Sequence, residues 1–159
     1  MLTTGLTGAD RMGWGPDPGT FLVHTAAGPK LVDQEGRVHD TTTPPPEHPA
    51  LRDGAIQSID TEAGVVWIDA AGTLYRNDTV VLTGLTRPRG LTCDRKQRLY
   101  VVSGAEEPAL YRVDGASLTL IAEWVGPVED VAWGSGGWLT PTNLYLVRSD
   151  GVLEYLQPP

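Results

Sequence analysis

The sequence predicts an all-β fold of four propeller-like blades, each about 40 residues long. Three observations support this prediction. First, the tetrapeptide Thr-Gly-Leu-Thr at residues 4–7 recurs at residues 83–86, an offset of 79 in a chain of 159 residues. Second, 19 Gly and 13 Pro interrupt the chain so often that no window keeps the apolar spacing of a helix. Third, short apolar runs alternate with turn residues, as in antiparallel hairpins.

The strands are predicted by runs rich in Val, Leu, Ile, Thr, Tyr and Trp that are bounded by Gly, Asp, Asn or Pro. Because turns separate these runs evenly, neighbouring strands are expected to pair antiparallel. The runs are Phe21–Thr25, Val65–Ile68, Val80–Leu82, Arg98–Val102, Ala109–Val113, Ser117–Ala122, Leu144–Val147 and Val152–Leu156.

Four turns, two in each half, divide the chain again. Asp114-Gly115 and Asp150-Gly151 are pairs that supply the positive φ angles of a tight hairpin. Glu35-Gly36 and Ala71-Gly72 occupy the equivalent positions one repeat earlier. Each half therefore holds two units of about 40 residues, which is the size of one propeller blade.

The alignment of the second unit with the fourth has two possible registers. The ungapped offset of 79 pairs Val65–Ile68 with Leu144–Val147. Matching the Leu-Tyr dipeptides instead pairs Leu74-Tyr75 with Leu144-Tyr145. The sequence alone leaves both registers open.

The third unit carries a family resemblance. Residues Arg89–Ser103, followed by Ala109–Gly115, resemble a blade of the NHL, gluconolactonase-like and related β-propellers. In those families a Gly-Leu-x-x-Asp strand, a polar turn, a Leu-Tyr-Val strand and a Leu-x-Arg-x-Asp hairpin recur. The fourth unit departs from this pattern, with Gly134–Gly137 in place of the Asp turn. The resemblance implies propeller architecture, and no position here matches the metal ligands of the lactonase branch.

Two architectures fit four blades. In a closed propeller, residues Met1–Thr7 supply a strand that completes the last blade, because their repeat copy includes the strand-like run Val80–Leu82. In the alternative, the chain forms a half-ring whose unpaired edges are covered by another subunit. Either way, we expect a single domain over residues 1–159 with repeat halves 1–79 and 80–159.

The composition indicates which kinds of binding partner and which cellular compartment to expect. The chain has 12 basic and 20 acidic residues, a net charge of −8, which disfavours binding to nucleic acid or an anionic membrane. The one cysteine, Cys93, is expected to be a buried structural thiol. No signal peptide or membrane-spanning run is evident, so we expect a soluble protein, either cytoplasmic or part of a virion.

One aspartate per unit is a candidate metal ligand. Asp10, Asp60, Asp94 and Asp130 recur near the ends of the expected innermost strands, where converging carboxylates could hold a hard cation. The competing interpretation, which we favour, is that such aspartates cap the backbone of their own turns. The three histidines are too dispersed for a metal site, and we expect no cofactor.

A basic segment and one tryptophan are the candidate interaction residues. They are Arg87, Arg89, Arg95, Lys96, Arg98 and Trp138. The basic segment could dock on the acidic half of a neighbouring copy, residues 1–79, whose net charge is −6. Trp138 follows a Ser-Gly-Gly sequence and is expected to be exposed, where it could stack on a sugar ring.

These observations predict a non-catalytic binding or assembly module, such as a structural subunit of a phage virion or tail. Its partners would be copies of itself or other subunits of the assembly. No nucleophile elbow or nucleotide-binding motif points to an enzyme. The alternatives are a carbohydrate-binding, lectin-like propeller and a lactonase-like metal-dependent hydrolase.

Overall fold

The protein is described by a computed structural model at residues 3–17, 20–33, 35–44, 54–124, 127–134 and 143–157. These residues form sixteen β-strands and no helix. The strands make four antiparallel sheets of four strands each, so the predicted all-β fold with four propeller blades is confirmed. The described part of the chain therefore contains no helix of the length and apolarity that a membrane span needs.

The four sheets are called blades 1 to 4 in the order in which they follow along the chain, and the N-terminal strand is counted with blade 4. Blade 1 contains β2 (Arg11–Trp14), β3 (Phe21–Thr25), β4 (Gly28–Val32) and β5 (Val38–Asp40), and blade 2 contains β6 (Ala55–Thr61), β7 (Gly64–Asp69), β8 (Leu74–Arg76) and β9 (Thr79–Leu82). Blade 3 contains β10 (Leu91–Cys93), β11 (Leu99–Ser103), β12 (Ala109–Asp114) and β13 (Ser117–Glu123), and blade 4 contains β14 (Val128–Gly134), β15 (Asn143–Arg148), β16 (Asp150–Leu156) and β1 (Thr3–Thr7).

The N-terminal strand completes the last blade. Strand β1 pairs antiparallel with β16, so the first and the last of the described strands are neighbours in one sheet. The predicted role of residues 1–7 as a strand that completes this blade is thereby confirmed for β1. Blades 1, 2 and 3 are each built from four consecutive strands.

The chain divides into two compact units. Unit 1 comprises residues 1–47 and 127–159 and holds blades 4 and 1, whereas unit 2 comprises residues 48–126 and holds blades 2 and 3. Each unit has its own apolar core between its two blades. Leu6, Phe21 and Val147 lie in the core of unit 1, and Ile68 and Leu99 in that of unit 2. The expectation of one domain over residues 1–159 stays a prediction.

The open question of register is decided by the strand bounds. Adding 79 to the bounds of β7 gives those of β15, so Ile68 and Val147 hold the same place in their blades. Tyr75 lies in β8 and Tyr145 in β15, which are different strands of their blades. The ungapped register is correct, and the register based on the Leu-Tyr dipeptides is wrong.

The repeated tetrapeptide has the same setting in both units. Gly5 and Gly84 both have positive φ angles, 94° and 87°. Leu6 is fully buried and Leu85 is 5% exposed, and each belongs to the core of its own unit. The two copies differ in secondary structure, since the first lies within β1 and the second follows β9, but each precedes the first strand of the next blade.

Candidate functional site

Three loops in the described part of the chain share one aspartate-centred turn. The turns are Asp33–Arg37, Asp69–Thr73 and Asp94–Arg98, called the aspartate turns below. In each, the backbone N–H of the fifth residue donates a hydrogen bond to the aspartate Oδ1, at 2.8, 2.8 and 2.9 Å. A side chain six residues after the aspartate donates or shares a hydrogen bond with its Oδ2. These side chains are His39, Tyr75 and Tyr100, at 2.8, 3.1 and 3.3 Å.

The fourth residue of each aspartate turn has a positive φ angle. It is Gly36 at 81°, Gly72 at 81° and Gln97 at 61°. Its N–H donates to the carbonyl of the aspartate in all three turns. This geometry explains why glycine occupies two of the three positions, since side chains disfavour the left-handed region.

The aspartates of these turns are held in the ionised form. The hydrogen bond from His39, reinforced by Arg37, holds the pKa of Asp33 well below its usual range. The backbone hydrogen bond from Thr73 lowers the pKa of Asp69 against the opposing effect of burial. Burial raises the pKa of Asp94, but hydrogen bonds from the backbone and guanidinium of Arg98 outweigh it and leave a lowered value. All three carboxylates therefore stabilise their turns as anions.

The four candidate metal-ligating aspartates occupy different environments. Asp94 is buried at 3% exposure and caps its own turn, as described above. Asp10 is exposed and lies 2.8 Å from Nδ1 of His24, whereas Asp60 is exposed on β6 opposite Val65. Within the described ranges, no group of three or more His, Cys, Asp or Glu side chains is placed to hold a metal ion.

Asp130 ties the two blades of unit 1 together. It is 1% exposed, and its Oδ2 accepts a hydrogen bond of 3.0 Å from the backbone N–H of Met12, on the first strand of the next blade. Its Oδ1 accepts a bond of 2.8 Å from the N–H of Val131. The role shown by these contacts is structural, because a buried carboxylate satisfies backbone donors that would otherwise lie unpaired.

Unit 2 places Gln57 where unit 1 has Asp130. Gln57 is opposite Ile68, Asp130 is opposite Val147, and a β-bulge precedes each of them. Gln57 is also buried, at 9% exposure, but its Oε1 has no hydrogen-bond partner among the residues that the structure describes. The two units therefore share a buried polar position, and the aspartate uses it to bind the backbone of the next blade.

The basic segment separates into two groups at opposite ends of β10. Arg87 and Arg89 precede the strand, and their guanidinium groups lie 3.2 and 3.4 Å from the carbonyl oxygen of Ala105. Lys96 and Arg98 follow the strand, and Arg98 is bound to Asp94 at 2.6 Å. The other member of this second group, Arg95, is exposed. The sequence segment is thus not one contiguous patch.

Arg87 and Arg89 form the feature called the arginine rim below. Arg87 has a φ angle of +43°, in the left-handed region, and its counterpart 79 residues earlier is Gly8 with a φ angle of +73°. A Cβ atom on Gly8 would lie 2.7 Å from the Cβ of Ala26, so unit 1 has no room for a side chain there. Ala105, the counterpart of Ala26, instead accepts a hydrogen bond from Arg87.

The tryptophan residues and the cysteine give no further evidence for a functional site. Trp138 lies outside the residues that the structure describes. The rings of Trp67 and Tyr75 stack on each other with centroids 4.0 Å apart. Cys93 is half-buried in unit 2, and burial raises the pKa of its thiol. The raised value disfavours the thiolate and so fits a structural role.

The sequence predicts turns at Gly36 and Gly72, but the capping roles of Asp33 and Asp69 were missed although a signal was present. An aspartate is followed six residues later by His or Tyr at Asp33, Asp69 and Asp94. The turns join β4 to β5, β7 to β8 and β10 to β11, which are different positions within a blade. A search at the repeat offset of 79 therefore does not superimpose them.

Comparisons with known proteins identify no family, and the similar structures that they find have low TM-scores. No known family and no curated protein matches the chain. Solved structures that it resembles include the computationally designed Ika4 protein, with 9% identity, a TM-score of 0.45, and 98% of this chain and 94% of that one covered. Another is the PQQ-bound aldose sugar dehydrogenase of Streptomyces coelicolor, with 13% identity, a TM-score of 0.42, and coverage of 98% and 83%.

A streptogramin B lyase is a further similar structure, with 15% identity, a TM-score of 0.29, and 100% of this chain and 59% of that one covered. Identities this low say nothing about chemistry. The four blades themselves show that the architecture is that of a propeller. Assignment to the NHL or gluconolactonase-like branch stays a prediction.

Proposed function

We propose that the protein is a non-catalytic assembly module whose copies contact one another through the arginine rim, Arg87 and Arg89. In the finer form of this proposal it is a structural subunit of a larger symmetric particle such as a phage virion. The observation that carries the proposal is the backbone conformation of Arg87. An arginine occupies a left-handed position for which the other repeat uses glycine.

This choice of residue has an energetic cost to the folded chain. A residue other than glycine in the left-handed region loses about 1 kcal/mol or more relative to its preferred conformations. Arg87 is exposed, and the residues described give it one hydrogen bond, to the carbonyl of Ala105 at 3.2 Å. One bond of this length on an exposed side chain, where water competes for the donor, offsets only part of that cost. A role in binding supplies a reason to keep the side chain.

The chemistry of the rim fits an acidic protein surface. A guanidinium has five N–H donors in a planar fork, so a single carbonyl oxygen leaves Arg87 able to bind a carboxylate in bidentate fashion. The sequence of unit 1 has four basic and ten acidic residues, a net charge of −6, and that of unit 2 has eight and ten, a net charge of −2. Unit 1 of a second copy is therefore the complementary partner for the rim.

The proposal is tested by the mass of the protein in solution as a function of salt. We expect larger oligomers at low salt than at high salt, because contacts between exposed charges are screened. The variant with Arg87→Glu and Arg89→Glu should lose this association. Arg95→Glu with Lys96→Glu, at the other end of β10, is the matched control and should keep it. A double variant at the rim with unchanged oligomers would overturn the proposal.

A further inference from the structure

The outer edge of blade 3 is the most open strand edge of the described chain. Strand β13 has seven residues and pairs with β12 on one side, and no described strand pairs with its other side. Its side chains Leu118 and Leu120 are 37% and 49% exposed. A long, apolar, unpaired edge is a template for another strand.

The other three outer strands are better protected against such pairing. Strand β5 has only three residues and ends in His39 and Asp40, which lie near Asp33 and Lys30. Strand β9 has four residues, and β1 is interrupted by a β-bulge between Thr3 and Leu6. Short length, charge and bulges are the usual protection of an edge. On β13, the one charged residue is Glu123, at the end of the strand.

The hairpin before β13 determines which of its backbone groups point outward. Asp114 and Ser117 are paired across a loop of two residues, so they form the hydrogen-bonded pair that closes the hairpin. Because such pairs alternate along an antiparallel ladder, the N–H and C=O groups of Leu118 and Leu120 point away from β12. The register shift after Leu120 leaves Ile121 as the extra residue of a bulge, which ends this regular stretch.

We propose that β13 of one copy pairs antiparallel with β13 of a second copy, across a twofold axis at Thr119. In this register Leu118 is opposite Leu120 of the second copy, and Leu120 is opposite its Leu118. The outward backbone groups of these residues then exchange hydrogen bonds across the axis. The leucines of both copies lie on one face, next to Tyr111 and Val113 of each blade, with which they already pair within the chain.

The edge can pair with itself without bringing like charges together. On the opposite face, Thr119 donates a hydrogen bond to Asp114, which is held by Arg112 at 2.9 Å. Pairing over residues 117–121 places no two like charges directly opposite each other, since Glu123 lies beyond this stretch. A second copy therefore supplies hydrogen-bond partners for the outward backbone groups of Leu118 and Leu120 without opposing like charges, and this is why we name it as the occupant. The contact differs from the arginine rim in being symmetric and apolar.

The test uses charged variants of the two leucines. At high salt, where the rim contact is screened, the wild-type protein should show a dimer whose population grows over about a hundredfold range of concentration. Leu118→Lys with Leu120→Lys should weaken this dimer at least about tenfold, because like charges then stand opposite one another. Val80→Lys, at an exposed position of β9, is the matched control and should leave the dimer unchanged.

Mixing separates the pairing from a loss of folding. A second variant, Leu118→Glu with Leu120→Glu, should also fail to dimerise alone. Mixed with the lysine variant at low salt, in a background of Arg87→Glu and Arg89→Glu, it should form heterodimers, because each lysine then meets a glutamate. A wild-type monomer at high salt, or no heterodimer on mixing, would overturn this inference. In that case, the proposed function would still be supported if salt-sensitive oligomers form and are lost when Arg87 and Arg89 are substituted.

Discussion

Leu6 lies opposite Gly151 in the strand pair of β1 and β16, and the same two residue types meet in the other unit. There the backbone N–H of Leu85 donates a hydrogen bond of 3.0 Å to the carbonyl of Gly72. Both members are shifted by 79 residues between the units. The leucine that contacts Gly72 lies 13 residues further along the chain, whereas the leucine that contacts Gly151 lies in the N-terminal strand. One contact is thus made twice, through two different connections.

Truncation of either leucine should destabilise the protein to a similar degree. Leu6→Ala and Leu85→Ala each remove a buried side chain from the core of a unit, so we expect a loss of about 2–5 kcal/mol in the free energy of unfolding. Urea unfolding measures it. Leu118→Ala, at an exposed position, is the control and should change stability by less than about 0.5 kcal/mol. A Leu6→Ala variant as stable as the wild type would contradict the role given to β1.

The turn glycines should differ in their tolerance of alanine. A Cβ atom on Gly72 would lie 1.9 Å from the carbonyl oxygen of Leu85, and one on Gly151 would lie 2.8 Å from the backbone nitrogen of Thr7. A Cβ on Gly115 meets nothing within 4 Å. We expect Gly115→Ala to cost about 1 kcal/mol for its positive φ alone, and Gly72→Ala to cost more than about 3 kcal/mol. Thermal unfolding of the variants tests this order, which equal losses would refute.

Stability should fall in acid because of the aspartates. The folded-state pKa values of Asp33, Asp69, Asp94 and Asp114 lie below the ordinary value of 3.8, so their contribution is present above about pH 4 and is lost as the pH falls through the lower folded values. Asp94→Asn should lower stability at neutral pH and flatten its fall below pH 4. Urea midpoints between about pH 6 and pH 2 measure both effects. An unchanged slope would rule out a contribution from Asp94.

Asp130 and Gln57 should respond in opposite ways to the loss of their polar groups. Asp130→Ala leaves the buried N–H of Met12 without its acceptor, which should cost about 1–3 kcal/mol. Gln57→Met removes an oxygen that has no partner in the described chain while keeping the volume, so it should be neutral or stabilising. Chemical unfolding compares the two. A large loss for Gln57→Met would mean that its Oε1 is satisfied in solution.

Replacing Arg87 by glycine should separate binding from stability. Arg87→Gly relieves the left-handed backbone, so the free energy of unfolding should stay the same or rise by up to about 1 kcal/mol. Association at low salt should nevertheless weaken. Differential scanning fluorimetry and sedimentation on the same samples test both parts. A destabilised variant would assign Arg87 a role in the fold and remove the argument for the rim.

Much of the fold was readable from short-range signals. The Asp-Gly pairs at residues 114–115 and 150–151 lie at hairpin turns, and Gly115 and Gly151 have positive φ angles of 63° and 95°. Such turns depend on a few neighbouring residues, so the sequence specifies them locally. The placement of β1 was readable because its sequence copy follows a strand in the other half.

The candidate site was harder to predict from the sequence, because residues that are close in sequence can lie at opposite ends of a strand. Arg89 and Arg95 lie on either side of β10, whose three residues alone span about 10 Å at about 3.3 Å per residue. Their charges therefore do not add up to one patch. The left-handed backbone of Arg87 could not be predicted from its sequence neighbours, because a positive φ angle is not expected for a residue other than glycine. It became apparent when Arg87 was compared with Gly8 in the structure.

The pairing of β1 with β16 also has a consequence for the time course of synthesis. Unit 2 is one continuous stretch of chain, so its two blades can pack while the remainder is still being made. Unit 1 needs β1 and β16 together, and of the strands described these two are the furthest apart in the sequence. Domains usually fold in the order of their synthesis. Strand β1 is therefore made well before β16, and it is among the last of the described strands to be paired.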